Sequence, residues 1–222
     1  GSEPTYFNIP GMEENAFTLW SIEDAQEINK HIHNMFKLAT NEQDLTKRKE
    51  MLSFVIGGGG FTGVETAGEI AEWSLQLCKQ YNIDPQEVNI KVVEAQEKIL
   101  PVLGENRVKK AENYLRNDLG VEILTEASIC EVKENSIIVN SCKKEDGYIT
   151  DENASTDLKE EIKTKTLIWT GGVKAKEFVK KIGVNLNHRN RIEVNQYLQT
   201  SISNIYAIGD NAYFKTEDGG VL

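Results

Sequence analysis

Residues 54–72 read FVIGGGGFTGVETAGEIAE, and the reading of this stretch decides the fold. Leu52-Ser53-Phe54-Val55-Ile56 is a short apolar run bounded by glycines, the pattern of a strand covered on both faces. From Thr62 to about Tyr81 the pattern is helical. Between the two, Gly57-Gly58-Gly59-Gly60-Phe61-Thr62-Gly63 contains G-x-G-x-x-G at Gly58, Gly60 and Gly63. In such a turn the first glycine permits the tight bend, the second lets a pyrophosphate approach the backbone, and the third lets the helix pack close to the sheet. The start of the helix offers unpaired N–H groups and a positive dipole end to phosphates. Glycine-rich turns are common, and a purely structural turn is the alternative. The position after a strand and before a helix is the context that favours dinucleotide binding.

Working outward, Asn82 to Pro85 breaks the helix and Val88 to Glu94 reads as the next strand, which completes a β-turn-α-β unit of a doubly wound sheet. The strand ends in Glu94, 31 residues beyond Gly63. The usual interval is about 20, and the long helix with the Asn82–Glu87 segment accounts for the excess. A carboxylate at this place binds both ribose hydroxyls and repels a 2′-phosphate, so NAD is favoured over NADP. Glu65 is expected in the first turn of this helix and has two readings: an acid favourable to the helix dipole, or an acid directed to the nicotinamide end of the cofactor. Gly171 and Gly172, after the strand ending Trp169-Thr170, would let a flat ring or a ribose lie on bare backbone; an ordinary loop is the alternative. Gly209-Asp210 follows an apolar segment, and Asp210 reads either as a ligand for a sugar or polyol hydroxyl or as a turn residue.

Elsewhere, Gly1 to Gly11 reads as loop, and Ser21 with Asp24 opens a helix to about Ala39. Thr40 to Glu50 is charged linker or helix end. Glu105 to Asp118 is a helix with Gly120 just past it, and Val121 to Leu124 is a strand. The period then changes to two, and Ile129–Val132, Ile137–Val139 and Thr164–Trp169 are expected to pair antiparallel. Lys143 to Glu161 is expected to be an exposed polar loop. Lys176 to Ile182 reads as a short helix, and Ile192–Val194 and Asn204–Ile208 as short strands. The fold class that follows is α/β: a Rossmann-like parallel sheet with helices on both faces and an antiparallel three-stranded β-meander.

Composition excludes several classes. The 222 residues carry a formal net charge of -10, which argues against nucleic acid and against an anionic membrane surface as general partners. No apolar run approaches the roughly 18 residues of a membrane span. Cys78, Cys130 and Cys142 make neither a disulfide framework nor a zinc motif, so no metal site is expected and a reducing cytoplasm is the expected setting.

Phe54 to Glu72 resembles the NADH-binding turn and helix of type II NADH dehydrogenases, two-dinucleotide flavoproteins of the pyridine nucleotide-disulfide oxidoreductase superfamily. Three further stretches are similar to the family and lie in its order. Gly1 to Gly11, GSEPTYFNIPG, resembles the passage from strand to linker. Leu167 to Val173, LIWTGGV, resembles the strand and glycine turn that pass near the nicotinamide. Tyr206 to Ala212, YAIGDNA, resembles the flavin-binding motif. The resemblance implies an FAD enzyme in which NADH gives hydride to the flavin and the flavin passes electrons to a membrane quinone. It would set Gly60, Phe61 and Thr62 along the pyrophosphate, with Gly58, Gly59 and Gly63 counted in the same cofactor-binding turn and Glu94 on the adenosine ribose. Glu65 would lie at the nicotinamide and flavin as the one catalytic candidate. Gly171 and Gly172 would lie on the nicotinamide side, and Gly209 and Asp210 at FAD.

By the same resemblance, residues 1–20 are a flank of the FAD domain and linker, 21–195 the NADH-binding domain, and 196–222 a second flank of the FAD domain. The chain departs from the family pattern in having no FAD-binding glycine turn before Gly58, no segment under the flavin after Asp210, and Gly57 where an apolar residue is commoner. It therefore reads as a fragment that binds NADH, holds FAD poorly, leaves Asp210 without a ligand and does not turn over alone. The quinone and membrane contacts are expected in the part that is missing, with the parent peripheral on the cytoplasmic face; a homodimer is left open. No Cys-x4-Cys pair supports disulfide reductase chemistry. Two alternatives stay open: the same scaffold with another acceptor, of sulfide:quinone or ferredoxin/rubredoxin type, and a non-catalytic nucleotide-binding module.

Overall fold

The computed structural model describes residues 2–141, 158–187 and 190–214. The elements in chain order begin with β1 (Ser2–Pro4), α1 (Met12–Asn15), β2 (Phe17–Thr18), α2 (Ile22–Asn41), α3 (Leu45–Met51) and β3 (Ser53–Gly57). Then come α4 (Phe61–Tyr81), β4 (Asn89–Val93), α5 (Glu105–Asn113), β5 (Glu122–Leu124), β6 (Ala127–Lys133) and β7 (Ser136–Ser141). The last are β8 (Leu158–Lys163), β9 (Thr166–Trp169), β10 (Val173–Ala175), β11 (Ile192–Val194) and β12 (Ala212–Phe214). They form two compact units, one of Tyr6–Gly171 and one of the first five residues with those from Gly172 onward.

The larger unit is built on a five-stranded parallel sheet of order β2-β9-β3-β4-β5. Strand β3 is buried along its whole length, as its unbroken apolar run requires. Phe54 and Ile56 face a core shared with α2, α4 and α5, while Val55 belongs to a second core with Val93 of β4 and Leu167 of β9. The first core covers one face of the sheet with the long helices. The second is closed by the antiparallel sheet β6-β7-β8 and by Met12 of α1. The α/β class with its three-stranded meander is therefore as read from sequence, with the long helices gathered on one face.

Local chemistry explains the helices. Ser21 caps α2: its hydroxyl accepts the Asp24 N–H at 3.1 Å and the Asp24 carboxylate accepts the Ser21 N–H at 2.8 Å. Ile28, Ile32, Met35, Phe36 and Ala39 then line the buried face of α2, and Phe36 stacks on Phe54 of β3 with ring centroids 5.9 Å apart. Asp44 caps α3 in the stretch expected to be linker or helix end. Arg48 of α3 ties three segments together. Its guanidinium donates to the Ala39 carbonyl at 2.5 Å and grips the Glu87 carboxylate with two nitrogens, at 2.5 and 2.9 Å.

The structure corrects the sequence reading in several places. Thr166–Trp169 does not join the meander; it lies parallel between β2 and β3, and the third meander strand is Leu158–Lys163. The reason is burial. Thr166, Leu167 and Ile168 are all buried, as a central parallel strand demands, whereas in β8 the buried Ile162 sits among exposed charges, as an edge strand covered on one face allows. Residues 158–161, assigned to the exposed loop, thus belong to β8, and 142–157 with Cys142 lie outside the described residues. Ser2–Pro4, read as loop, pairs antiparallel with β10 in the smaller unit. Asn204–Ile208 is no strand: Tyr206 makes a single bridge to Gln199, and the strand nearby is β12, parallel to β11. The two compact units divide at Tyr6 and Gly172. β2 pairs with β9 and so draws residues 6–20 into the larger unit, while Ala175, Val179 and Val184 share a core with Ile192 and Ala212.

One half-buried histidine makes the larger unit sensitive to acid. On α2, His31 Nε2 lies 2.9 Å from the hydroxyl of the fully buried Thr166, and its ring packs on Phe17 at 4.5 Å. Burial pushes its pKa below the usual 6.5, against the opposite pull of a backbone hydrogen bond to Lys165 and the charge of Glu27. The unfolded chain therefore takes up the proton first. The contribution of neutral His31 is present above pH 6.5 and is lost as pH falls through its lower folded value. Urea denaturation at a series of pH values should show stability falling below about pH 6.5, and that part of the fall should disappear in H31Q. An unchanged profile in H31Q would refute the assignment.

Candidate functional site

The register of the sheet builds the site. Gly57 is paired with Val93 on one side and with Trp169 on the other. The next residue of each strand therefore emerges at the carboxyl edge of the sheet, with Gly58 between Thr170 on one side and Glu94 on the other. This is the place where ligands bind in open α/β sheets.

The four-glycine turn is held from every side. The Gly58 N–H donates to the Val93 carbonyl at 2.8 Å, and the Gly59 N–H to Glu94 Oε2 at 2.6 Å. The Leu100 N–H donates to the Gly59 carbonyl at 2.8 Å. From β9, the Thr170 N–H donates to the Gly57 carbonyl at 2.8 Å, and the Thr170 hydroxyl lies 3.1 Å from that oxygen and 3.2 Å from the Gly58 carbonyl. Gly58 has φ +112°, a conformation that side chains rarely adopt. Gly63 has no space for one: a Cβ there would sit 1.9 Å from the Gly58 carbonyl oxygen.

Helix α4 starts at Phe61, with Gly60 as its N-cap and no side chain capping it. Among the described residues the N–H groups of Gly60, Phe61 and Thr62 have no hydrogen-bond partner, and a Cβ on Gly60 would meet nothing within 4 Å. Unpaired donors, a positive helix end and open space coincide here, which is what a phosphate group requires. Phe61 and Thr62 are exposed beside them.

Glu94 is 8% exposed, and each of its oxygens takes a backbone N–H: Oε2 that of Gly59, Oε1 that of Gln96 at 2.7 Å. The acid read from sequence as a ribose ligand is thus also a brace for the turn. Glu65 is the fifth residue of α4, beyond the first turn in which an acid favours the helix dipole, so the capping reading loses its basis. Its exposed side chain lies on the wall of a groove between α2 and α4, with Leu19, Ile28, Thr62 and Trp73. Gly171 is half-buried, and a Cβ on it would fall within 2.4 Å of two atoms of the Trp169 ring. Gly172, Gly209 and Asp210 belong to the smaller unit. There Gly209 has φ +67°, and the exposed Asp210 accepts a hydrogen bond from the Ser2 hydroxyl at 3.2 Å. The structure therefore brings Gly58–Gly63, Glu94 and Gly171 together in the larger unit and carries the Gly209-Asp210 pair in the other.

A family model for pyridine nucleotide-disulphide oxidoreductases matches residues 1–220. The chain belongs to that family. Within it, the chain is 31% identical over 217 residues to the type II NADH:quinone oxidoreductase of Staphylococcus haemolyticus, covering 96% of this chain and 49% of that protein. It is 32% identical over 211 residues to the Staphylococcus aureus protein of the same name, covering 94% and 48%. Among solved structures, NDH2 from Plasmodium falciparum in complex with NADH superposes with a TM-score of 0.82 at 25% identity, over 97% of this chain and 43% of that one. The chain spans about half the length of the curated relatives it matches. The resemblance carried by the four sequence motifs is confirmed by these relatives.

Sequence reasoning passed over Thr170, Gln96 and Leu100. Thr170 stands in the quoted stretch Trp169-Thr170-Gly171-Gly172, but its role appears only when β9 is known to lie beside β3. The backbone donors of Gln96 and Leu100 leave no signal in side-chain identity.

Two glycine substitutions should separate structure from surface. G63A forces a methyl onto the Gly58 carbonyl and should cost about 3 kcal/mol or more in chemical denaturation. G60A places its methyl in open space and should cost less than about 1 kcal/mol. Equal effects would contradict the geometry described.

Proposed function

We propose that the chain is the NADH-binding part of an FAD-dependent NADH:quinone oxidoreductase. The observation that carries this reading is the pinned glycine turn, which leaves the Gly60, Phe61 and Thr62 N–H groups free at the head of α4 beside the Glu94 carboxylate. Membership of the family and the printed names of the relatives supply the reaction class.

On this reading the residues fit the nucleotide. The free N–H groups and the dipole of α4 take the pyrophosphate, with Gly58, Gly59 and Gly63 keeping side chains out of its way. Glu94 uses lone pairs not taken by Gly59 and Gln96 to accept from the adenosine ribose, and its negative charge disfavours a 2′-phosphate. Gly171 and Gly172 border the nicotinamide side, and Glu65 lies at the nicotinamide and flavin. Gly209 and Asp210 hold part of the flavin. When bound, the nicotinamide would supply a hydride and the flavin would provide the two-electron relay to quinone. The task of this chain is orientation, because hydride transfer depends on the approach of the two rings more than on a titrating side chain. Contact with quinone and with a membrane surface is assigned to other parts of the enzyme. Among the described residues no helix is long and apolar enough to cross a membrane.

Calorimetric titration of the chain with NADH and NADPH tests the reading. NADH is expected to bind and NADPH to bind more weakly. E94A should weaken NADH by about tenfold to a hundredfold, the loss of a charged hydrogen bond, and should bring the two affinities together. Binding of NADPH as tight as that of NADH, or no binding of either, would sink it.

A further inference from the structure

We infer that Thr170 is a positioning residue for the nucleotide: its hydroxyl holds the Gly57 and Gly58 carbonyls inward, so that the N–H groups opening α4 face the pyrophosphate. The inference rests on the nucleotide reading proposed above.

Four consecutive glycines make the turn the most pliable stretch of the sheet edge, because no Cβ restricts their rotation. Its order comes from hydrogen bonds at both ends of successive peptide units. The Gly57–Gly58 unit is fixed through its N–H by the Val93 carbonyl and through its carbonyl by the Thr170 N–H. The Gly58–Gly59 unit is fixed through its N–H by Glu94 and through its carbonyl by the Thr170 hydroxyl at 3.2 Å. The first anchor of each pair comes from β4 and the second from β9. From β9's end, the side chain of Thr170 reaches both carbonyls.

The electrostatic consequence is specific to a phosphate ligand. With the hydroxyl in place, the carbonyl oxygens of Gly57 and Gly58, the negative ends of their peptides, are both engaged by Thr170. Without it, the Gly58–Gly59 peptide can rotate about its flanking glycine bonds. Its carbonyl then turns toward the phosphate path, and an oxygen dipole opposes the anion that the helix start attracts. Valine has nearly the shape of threonine without the donor, and serine keeps the donor without the methyl.

The chain, T170V and T170S should be titrated with NADH, with ADP-ribose and with adenosine, which has no phosphate. T170V is expected to bind NADH and ADP-ribose about tenfold more weakly, the loss of one positioned hydrogen bond. Adenosine affinity should be unchanged, and T170S should bind NADH within about twofold of the parent. Amide exchange at Gly58–Gly60 should be faster in T170V and unchanged in T170S. If T170V does not fold, T170A against T170S isolates the hydroxyl equally well. Parent-like NADH binding by T170V, or an equal loss for adenosine, overturns the clamp while leaving the nucleotide reading intact. Failure of the parent itself to bind NADH overturns that reading and the clamp with it.

Discussion

The site depends on one constraint, the pairing register of three parallel strands. Gly57 is level with Val93 and with Trp169, and because of that Gly58, Glu94 and Thr170 meet at the sheet edge. A slip of one residue would exchange the two faces of a strand. In β3 it would turn Val55 toward the helices and Phe54 and Ile56 toward the meander. Both faces are closed by fully buried side chains, so the register is enforced along the whole strand by packing. The chemistry of the edge is thus fixed by apolar residues that never reach it. The Phe36–Phe54 stack and the Val55–Leu167 contact layer hold the frame in which a hydroxyl, a carboxylate and a glycine turn can be placed to within hydrogen-bonding distance.

Given that frame, the turn solves an accounting problem. A buried backbone must find partners for its polar groups, and a helix must leave its first N–H groups without intrahelical ones. In Gly57–Gly59 every partner comes from a neighbouring strand or loop. The unsatisfied donors are thereby pushed one residue further, to Gly60, Phe61 and Thr62, where there is open space. The absence of a side-chain cap on α4 has the same sense. A Ser or Asp at position 60 would stabilise the helix start by roughly a few tenths of a kcal/mol and would occupy the donors that a phosphate needs. Ser21 does cap α2 in this way, and no such site is formed there.

What was legible in the sequence was local. The strand at Ser53–Gly57, the glycine turn, α4, β4 and the capped start of α2 all carry their signal within a few residues, in period, glycine placement or a capping pair. What was not legible depended on partners distant in the chain. β1, β2 and β10 have two or three residues each, too few for a period, and exist because another strand pairs with them. Thr166–Trp169 is short and apolar, whereas Leu158–Lys163 is short and carries charges around its one buried Ile162. Only the covering of both faces of the first and one face of the second sends them to different sheets. The site divides along the same line. Gly58, Gly63 and Glu94 announce themselves by spacing, whereas Thr170 acquires its role from β9 lying next to β3, a pairing across more than a hundred residues of sequence.

Glu94 shows how closely recognition and structure are joined here. A ribose-reading acid on the surface could be exchanged for a neutral residue with little effect on the fold. This carboxylate is buried, and it takes the N–H groups of Gly59 and Gln96 before any ligand arrives. Removing it leaves two backbone donors without partners and loosens the turn from the β4 side, as removing the Thr170 hydroxyl loosens it from the β9 side. Replacing it with glutamine keeps one acceptor but sets an amide donor against an N–H that needs an acceptor. On the proposed reading, preference for NADH over NADPH is therefore not an independent feature that a single exchange can reverse. The charge that disfavours a 2′-phosphate is the same charge that orders the glycines under the pyrophosphate. A change of nucleotide preference would need a second residue to take over the Gly59 and Gln96 N–H groups.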